Sequence, residues 1–190
     1  RDFARFLIRS FEGPDVDAII VNSAGCGSTM KEYGELLGDD PVFAVRARKI
    51  SEKTRDVMEF LGDIGIAGEL QALDLKITYQ DACHLGHAQR IKEQPRNVLR
   101  QIPGIELTEL PESELCCGSA GIYNMVEPDM SLRLLERKIR HLKETGADYL
   151  VAGNPGCLLQ IGKGIKQHGL DIKTAHPVEL LDRSYRGISE

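Results

Sequence analysis

DYLVAGNPGC spans residues 148–157. It opens with an apolar run that suits a short strand, passes through a glycine–proline turn, and reaches a cysteine where a helix would begin. The same arrangement stands at residues 17–26, DAIIVNSAGC. Asp17 matches Asp148, Gly25 matches Gly156 and Cys26 matches Cys157. Each stretch reads strand, loop, helix, and this pattern organises the rest of the chain.

Further strands are expected at LKITYQ (75–80), ahead of DACHLGH, at IELTEL (105–110), ahead of LCCGSAG, and at IKTAH (172–176). Helices are expected between them. PRNVLRQI is one, and a second follows NPGC to about Gln167. PVELLDR is a third, and residues 130–145 carry Leu132, Leu135, Ile139 and Leu142 at helical spacing with Gly146 as a stop. In the first third, RDFARFLIRSFE (1–12) reads as mid-helix. Thr29 and Glu32 are spaced as a capping box for a helix opening near Ser28 or Thr29. Asp40-Pro41 would open another helix with proline at its first position, bent before TRDVMEFLG, with Gly62 as its stop. Strands alternating with helices predict an α/β fold of parallel sheet or sheets with flanking helices.

The match between residues 17–26 and 148–157 extends further, since DVMEFLGD resembles PVELLDRS. Two related pseudo-repeat units are therefore expected, the first truncated. Residues 1–68 would be the back half of one unit, residues 72–190 a complete second unit, and residues 63–75 the join. A chain that starts at Arg1 in mid-helix is expected to be a piece of a longer protein.

The five cysteines lie at 26, 83, 116, 117 and 157. Each follows the carboxyl end of an expected strand. In parallel α/β sheets those ends share one edge, where ligands bind, so residues far apart in sequence converge there. Buried cysteines serving only as small hydrophobes would have no reason to keep that pattern. With no export signal in view, metal ligation or thiol reactivity is favoured over a disulfide framework. No CxxC pair indicates an ordinary zinc ribbon. Sulfur donors select zinc, copper(I) or an iron–sulfur cluster. The adjacent Cys116 and Cys117 suit a cluster, because neighbouring thiolates reach different iron atoms or share one. Gly118 and Gly121 let the backbone approach and offer N–H donors to sulfur. Cys26 and Cys157 sit where helices begin, and there the dipole stabilises a thiolate. His84 is expected to donate to a cluster sulfur and His87 to contact backbone. With Cys83, the two histidines keep a zinc site as the alternative. Asn154 is expected to hydrogen-bond in the loop before Cys157, and Asp81 to orient the CHLG loop or cap the next helix.

The remaining composition excludes several classes. The chain has 190 residues, 42% of them hydrophobic, and a net charge of −5 without a basic block, so no nucleic-acid partner is expected. No apolar run has bilayer length and no signal peptide is visible, which suggests a cytoplasmic protein. The glycines at 162 and 164 do not meet the spacing of a phosphate-binding loop.

The ordered set CHLG…CCGSAGIYN…GNPGC resembles the CCG domain, the cysteine-rich domain found in heterodisulfide reductases and their relatives. Together with VNSAGCGSTMKEYGELLGDDP and DACHLGHAQRI, it is most similar to the C-terminal half of glycolate oxidase iron–sulfur subunits. The resemblance implies a [4Fe-4S]-type cluster, cubane or non-cubane, on Cys83, Cys116, Cys117 and Cys157. It also implies electron transfer within a complex whose FAD-containing subunit oxidises glycolate, with the full complex able to associate peripherally with a membrane. This fragment itself would not turn over glycolate. The ferredoxin-like module of such subunits is not in this stretch, which has no C-x2-C-x2-C-x3-C-P run. One departure stands out: the first cysteine of the family's closing CxxC is Asn154 here. Cys26 is then either a fifth ligand or a remnant. The alternatives are a thiol–disulfide oxidoreductase like heterodisulfide reductase and a zinc-bound structural module.

Overall fold

The computed structural model describes residues 1–11 and 16–188. Glu12 at the end of the expected leading helix, and the last two residues of the expected second unit, lie outside them. The chain begins with α1 (Asp2–Ser10), which buries Ala4 and Ile8, one turn apart. Then come β1 (Ile19–Val21), α2 (Ala24–Lys31), α3 (Tyr33–Leu36), α4 (Ala44–Lys53), β2 (Thr54–Asp56) and α5 (Val57–Ile64). β1 and β2 form a parallel pair with Ile19 opposite Thr54 and Val21 opposite Asp56.

The second part holds β3 (Leu75–Tyr79), a π-helical turn at His84–Ala88, α6 (Glu93–Leu99), β4 (Ile105–Glu109), α7 (Tyr123–Val126) and α8 (Pro128–Thr145). It closes with β5 (Tyr149–Val151), α9 (Pro155–Gln167), β6 (Lys173–Ala175) and α10 (Pro177–Arg186). Its four strands are all parallel, in the order β4-β3-β5-β6. The chain leaves β3 towards β4 on one side and returns to β5 on the other, so the strand order reverses between β3 and β5. That is the switch point at which open α/β sheets bind ligands.

One core cluster joins Leu135, Ile139 and Leu142 of α8 to Ile161 and Ile165 of α9, and includes Cys117 and Cys157. A second packs Met58 of α5, Val98 and Leu99 of α6 and Leu180 of α10 against Ile77, Tyr79 and Val151. A third belongs to the first part, around Ile8, Tyr33, Leu37 and Phe43. α5 thus crosses from the first part to help cover the second sheet. Among the described residues no helix is long and apolar enough to cross a membrane.

The α/β expectation holds, with local corrections. α2 starts at Ala24, not near Ser28, and Thr29 lies within it with its Oγ1 donating to the Gly25 carbonyl at 3.1 Å. A threonine hydroxyl bonded one turn back continues a helix rather than capping it. Asp40 does not open a helix through Pro41. Its carboxylate accepts the N–H groups of Val42 and Phe43 in a turn, and α4 starts at Ala44. β2 occupies Thr54–Asp56, where a bend in helix is expected from the sequence. Thr54 closes α4 by donating to the Ile50 carbonyl at 2.7 Å, and Asp56 caps α5 in a capping box with Glu59. Gly62 lies inside α5, whose stop is Gly65 at φ 80°.

Candidate functional site

The loop after β3 carries Cys83. Its first residues are buried and polar, and each is held. The Gln80 side-chain amide donates to the carbonyls of Asp81 at 2.8 Å, Ser113 at 2.7 Å and Leu115 at 3.2 Å. It thereby ties the Cys83 loop to the loop that leads into Cys116. Asp81 accepts two parallel bonds from Arg96 of α6, both at 2.8 Å. The same guanidinium reaches Glu109 at the end of β4 and lies 5.2 Å over the Tyr79 ring. Burial alone would raise the Asp81 carboxyl, but the hydrogen bonds from Arg96 and Ser113 and the Arg96 charge hold it below the usual carboxylate range.

The loop after β4 carries Cys116 and Cys117 and hangs on the inner face of α8. The Lys138 ammonium donates to the Glu112 carbonyl at 2.5 Å, before the cysteines. The Ser131 hydroxyl donates to the Gly118 carbonyl at 2.8 Å, after them. Gln160 of α9 donates to that hydroxyl at 3.0 Å and accepts from Asn124 at 3.3 Å. Gly118 sits at φ 90°, and a Cβ there would lie 2.5 Å from the Ser131 carbonyl oxygen, so the turn requires glycine. Its N–H points at the Cys116 sulfur, 3.4 Å away.

Cys157 and Cys26 occupy matching places, each the third residue of a helix that follows a strand. The two helix starts are strapped together. Ala24 N–H donates to the Gly153 carbonyl at 3.1 Å, and Gly25 N–H to Asn154 Oδ1 at 3.3 Å. Asn154 Nδ2 donates to the Cys157 sulfur at 3.5 Å. Gln89, past the π-helical turn, donates to the Ala24 carbonyl at 2.9 Å.

All five cysteines line one cleft of about 360 Å³, with His84, Asn154, Ser119 and Gly121 around them. A larger groove of about 660 Å³ beside α9 contains no thiol and no acid–base pair, and carries no chemistry of this kind. The five thiols are free: Cys117 and Cys157 are buried, Cys83 and Cys116 half-buried, Cys26 exposed. Four of them form a row. Cys117 and Cys83, together with the Gly118 N–H, lower the Cys116 thiol pKa. Cys157 is lowered in the same way by Cys117 and Asn154. The Cys83 and Cys117 thiols beside them are pushed up by Cys116 and by burial. His84 borders the cleft with Nδ1 3.5 Å from the Cys83 sulfur, while His87 turns away to the Glu114 carbonyl at 3.4 Å.

Among the described residues, no three His, Cys, Asp or Glu side chains are already arranged around the position of a single metal ion. The donor set is nonetheless all sulfur, at the mouth of a cleft with backbone and amide N–H groups aimed at two of the sulfurs. That suits a soft, multinuclear sulfur-held centre better than a lone hard cation. Gln80, Arg96, Ser131 and Lys138 are the residues that sequence reasoning passes over. Lys138 carries a readable signal, because Ser131, Leu135, Lys138 and Leu142 share one helical face and a lysine stands on its apolar stripe.

Comparison with known proteins fits this geometry. The chain is 40% identical over 185 residues to a protein of Bacillus subtilis (strain 168) named "Probable glycolate oxidase iron-sulfur subunit", covering 95% of this chain and 42% of that protein. It is 34% identical to "Lactate utilization protein A" of Halalkalibacterium halodurans, covering 96% of this chain and 75% of the relative. It is 33% identical to the protein of that name from Shouchella clausii, with 94% and 74% covered. The chain therefore spans less than half of the first relative and about three quarters of the others. Residues 77–162, which contain Cys83, Cys116, Cys117 and Cys157, match the model of the CCG cysteine-rich domain, and with these relatives the chain belongs to the CCG cysteine-rich domain family.

Proposed function

We propose that this chain holds an iron–sulfur cluster of the [4Fe-4S] type in the five-cysteine cleft and passes electrons for a complex that oxidises a small 2-hydroxy acid, glycolate or lactate. Cys83, Cys116, Cys117 and Cys157 are the ligands, and Cys26 is a fifth thiolate at the open side. The observation that carries this reading is the convergence of all five cysteines, drawn from four separate loops, on one cleft. The names of the relatives support the substrate class and the iron–sulfur chemistry.

A cluster bound there would supply a one-electron carrier and no bond-making on substrate. The residues of the chain do the rest. Gly118 N–H and the Asn154 amide donate to sulfur and favour its anionic form. Buried Cys117 and Cys157 close the inner side to water, while the exposed Cys26 and half-buried Cys83 and Cys116 leave one edge open towards a partner. That partner is a flavin-bearing oxidase subunit, and the assembly works in the cytoplasm, where thiols stay reduced. The division into a truncated unit at 1–68 and a complete one at 72–190 belongs to the same proposal. It is supported by the matching places of Cys26 and Cys157 and by the capping boxes of Asp56–Glu59 and His176–Glu179 after β2 and β6.

Anaerobic reconstitution with iron and sulfide, followed by elemental analysis and EPR, tests the reading. About four irons and four sulfides per chain, with a signal on reduction, is the expected result. Stoichiometric zinc with no iron uptake would overturn it.

A further inference from the structure

Lys138 is fully buried, at 0% exposure, in the middle of α8. Its only hydrogen-bond partner among the described residues is the Glu112 carbonyl, and it pairs with no carboxylate there. A buried ammonium without an anion is costly, and proteins rarely keep one unless it balances a charge. Both carboxylates in its neighbourhood already have cations. Glu112 is bound by Arg137 at 2.7 Å and by His141 at 3.1 Å, and Asp81 by Arg96. The loop that Lys138 holds at Glu112 runs on to the Cys116–Cys117 pair. Its neighbours on α8, Leu135, Ile139 and Leu142, pack in the same core cluster as Cys117 and Cys157, and its charge acts on Cys116, Cys117 and Cys157.

We infer that the Lys138 ammonium is the buried counter-charge of the cysteine row and sets the reduction potential of the centre those cysteines hold. This rests on the iron–sulfur reading above. An added electron makes such a centre more negative, so a fixed cation behind it favours the reduced state. Burial opposes the charged form and brings the Lys138 pKa down to about 8, while Cys117, Glu112, Asp81 and Cys116 push it back up. The ammonium therefore stays charged near neutral pH. Lys138 is a positioning and potential-setting residue; it touches backbone, not the cluster ligands.

The test uses the whole 190-residue chain, reconstituted and poised with redox mediators at the wild-type midpoint, with the reduced fraction read by EPR. Lys138→Gln keeps a donor for the Glu112 carbonyl and removes the charge. Lys138→Met removes both, and it should fold, because methionine matches its apolar neighbours. Arg133→Gln removes an exposed charge from the same helix. Both Lys138 variants are expected to lower the ratio of reduced to oxidised centre at least about tenfold, a shift of about 59 mV for one electron, while Arg133→Gln leaves it within about twofold. An unchanged ratio in the Lys138 variants overturns the inference and leaves the iron–sulfur reading standing. So does an equal shift in Arg133→Gln, which would make any cation on α8 sufficient, or a folded Lys138→Met chain that assembles no cluster, which would make Lys138 an assembly residue only. If the wild-type chain itself takes up no iron, both fall.

Discussion

Asn154 and Cys157 are joined by a side-chain hydrogen bond, Nδ2 to Sγ at 3.5 Å, and the Oδ1 of the same amide accepts the Gly25 N–H at 3.3 Å. One amide therefore binds a thiol of the second part and the backbone one residue before Cys26 of the first. A sulfur at this position would be a weaker acceptor for the Gly25 N–H than the amide oxygen. The Asn154 amide thus straps the start of α2, which carries Cys26, to the start of α9, which carries Cys157.

Asn154→Ala removes both bonds. We expect it to lower stability by about 1–2 kcal/mol in urea titrations and to loosen Cys26 from the cleft, so that alkylation of Cys26 becomes faster. An unaltered alkylation rate would mean that the Ala24–Gly153 backbone bond holds α2 in place without Asn154.

Arg96 carries a second expectation. Arg96→Met leaves the Asp81 carboxylate buried and unpaired, and breaking such a pair costs about 3–5 kcal/mol. Arg96→Lys recovers only part of this, since an ammonium cannot reproduce the two parallel bonds. The pH dependence has a definite sign. The Asp81 pKa is lowered in the folded protein, so its contribution is present above the ordinary carboxylate value and is lost as pH falls through the lowered one. The gap between wild type and Arg96→Met, read from urea midpoints, should therefore shrink below about pH 4. A gap that is constant with pH would remove Asp81 from the explanation.

These tethers mark the limit of what the sequence discloses. The strand–loop–helix rhythm and the placing of each cysteine after a strand are periodic, local signals, and the parallel sheets follow from them. Asn154 is readable because it interrupts a familiar spacing. Gln80 and Arg96 are not, because the Ser113 and Leu115 carbonyls and the Asp81 carboxylate that they bind stand 15 to 35 residues away, brought near only by the crossover connections. β2 escapes for another reason. Thr-Arg-Asp has no apolar alternation, and its strand exists because it pairs with β1, 35 residues earlier. The early helix start at Ala24 escapes because Ser23 is its N-cap without any side-chain cap bond.

The cysteines are not expected to be equivalent. Cys117 lies at 2% exposure between Cys116 and Cys157, and Cys116 links it to Cys83. Serine at either position breaks the row in the middle. Iron content after anaerobic reconstitution should fall to background in Cys116→Ser and Cys117→Ser, and only partly in Cys26→Ser, whose sulfur is exposed at the rim. Full iron content in Cys117→Ser would remove the vicinal pair from the ligand set.

The turn that presents the pair offers a paired test. Gly118 and Gly121 both have positive φ, 90° and 68°, but their surroundings differ. A Cβ on Gly121 meets nothing within 4 Å, whereas one on Gly118 lies 2.5 Å from the Ser131 carbonyl oxygen and 3.1 Å from its hydroxyl. That carbonyl belongs to the first turn of α8 and cannot rotate aside, and the hydroxyl is already donating to the Gly118 carbonyl. Gly121→Ala should cost only its backbone strain, about 1 kcal/mol. Gly118→Ala adds a clash with main chain and should cost more than about 3 kcal/mol. It should also move Cys116 and Cys117 away from α8, so iron uptake should fall in Gly118→Ala and stay near wild type in Gly121→Ala. Equal losses of stability and iron in both variants would mean that the turn is free to shift off α8, and that Ser131 does not fix the position of the cysteine pair.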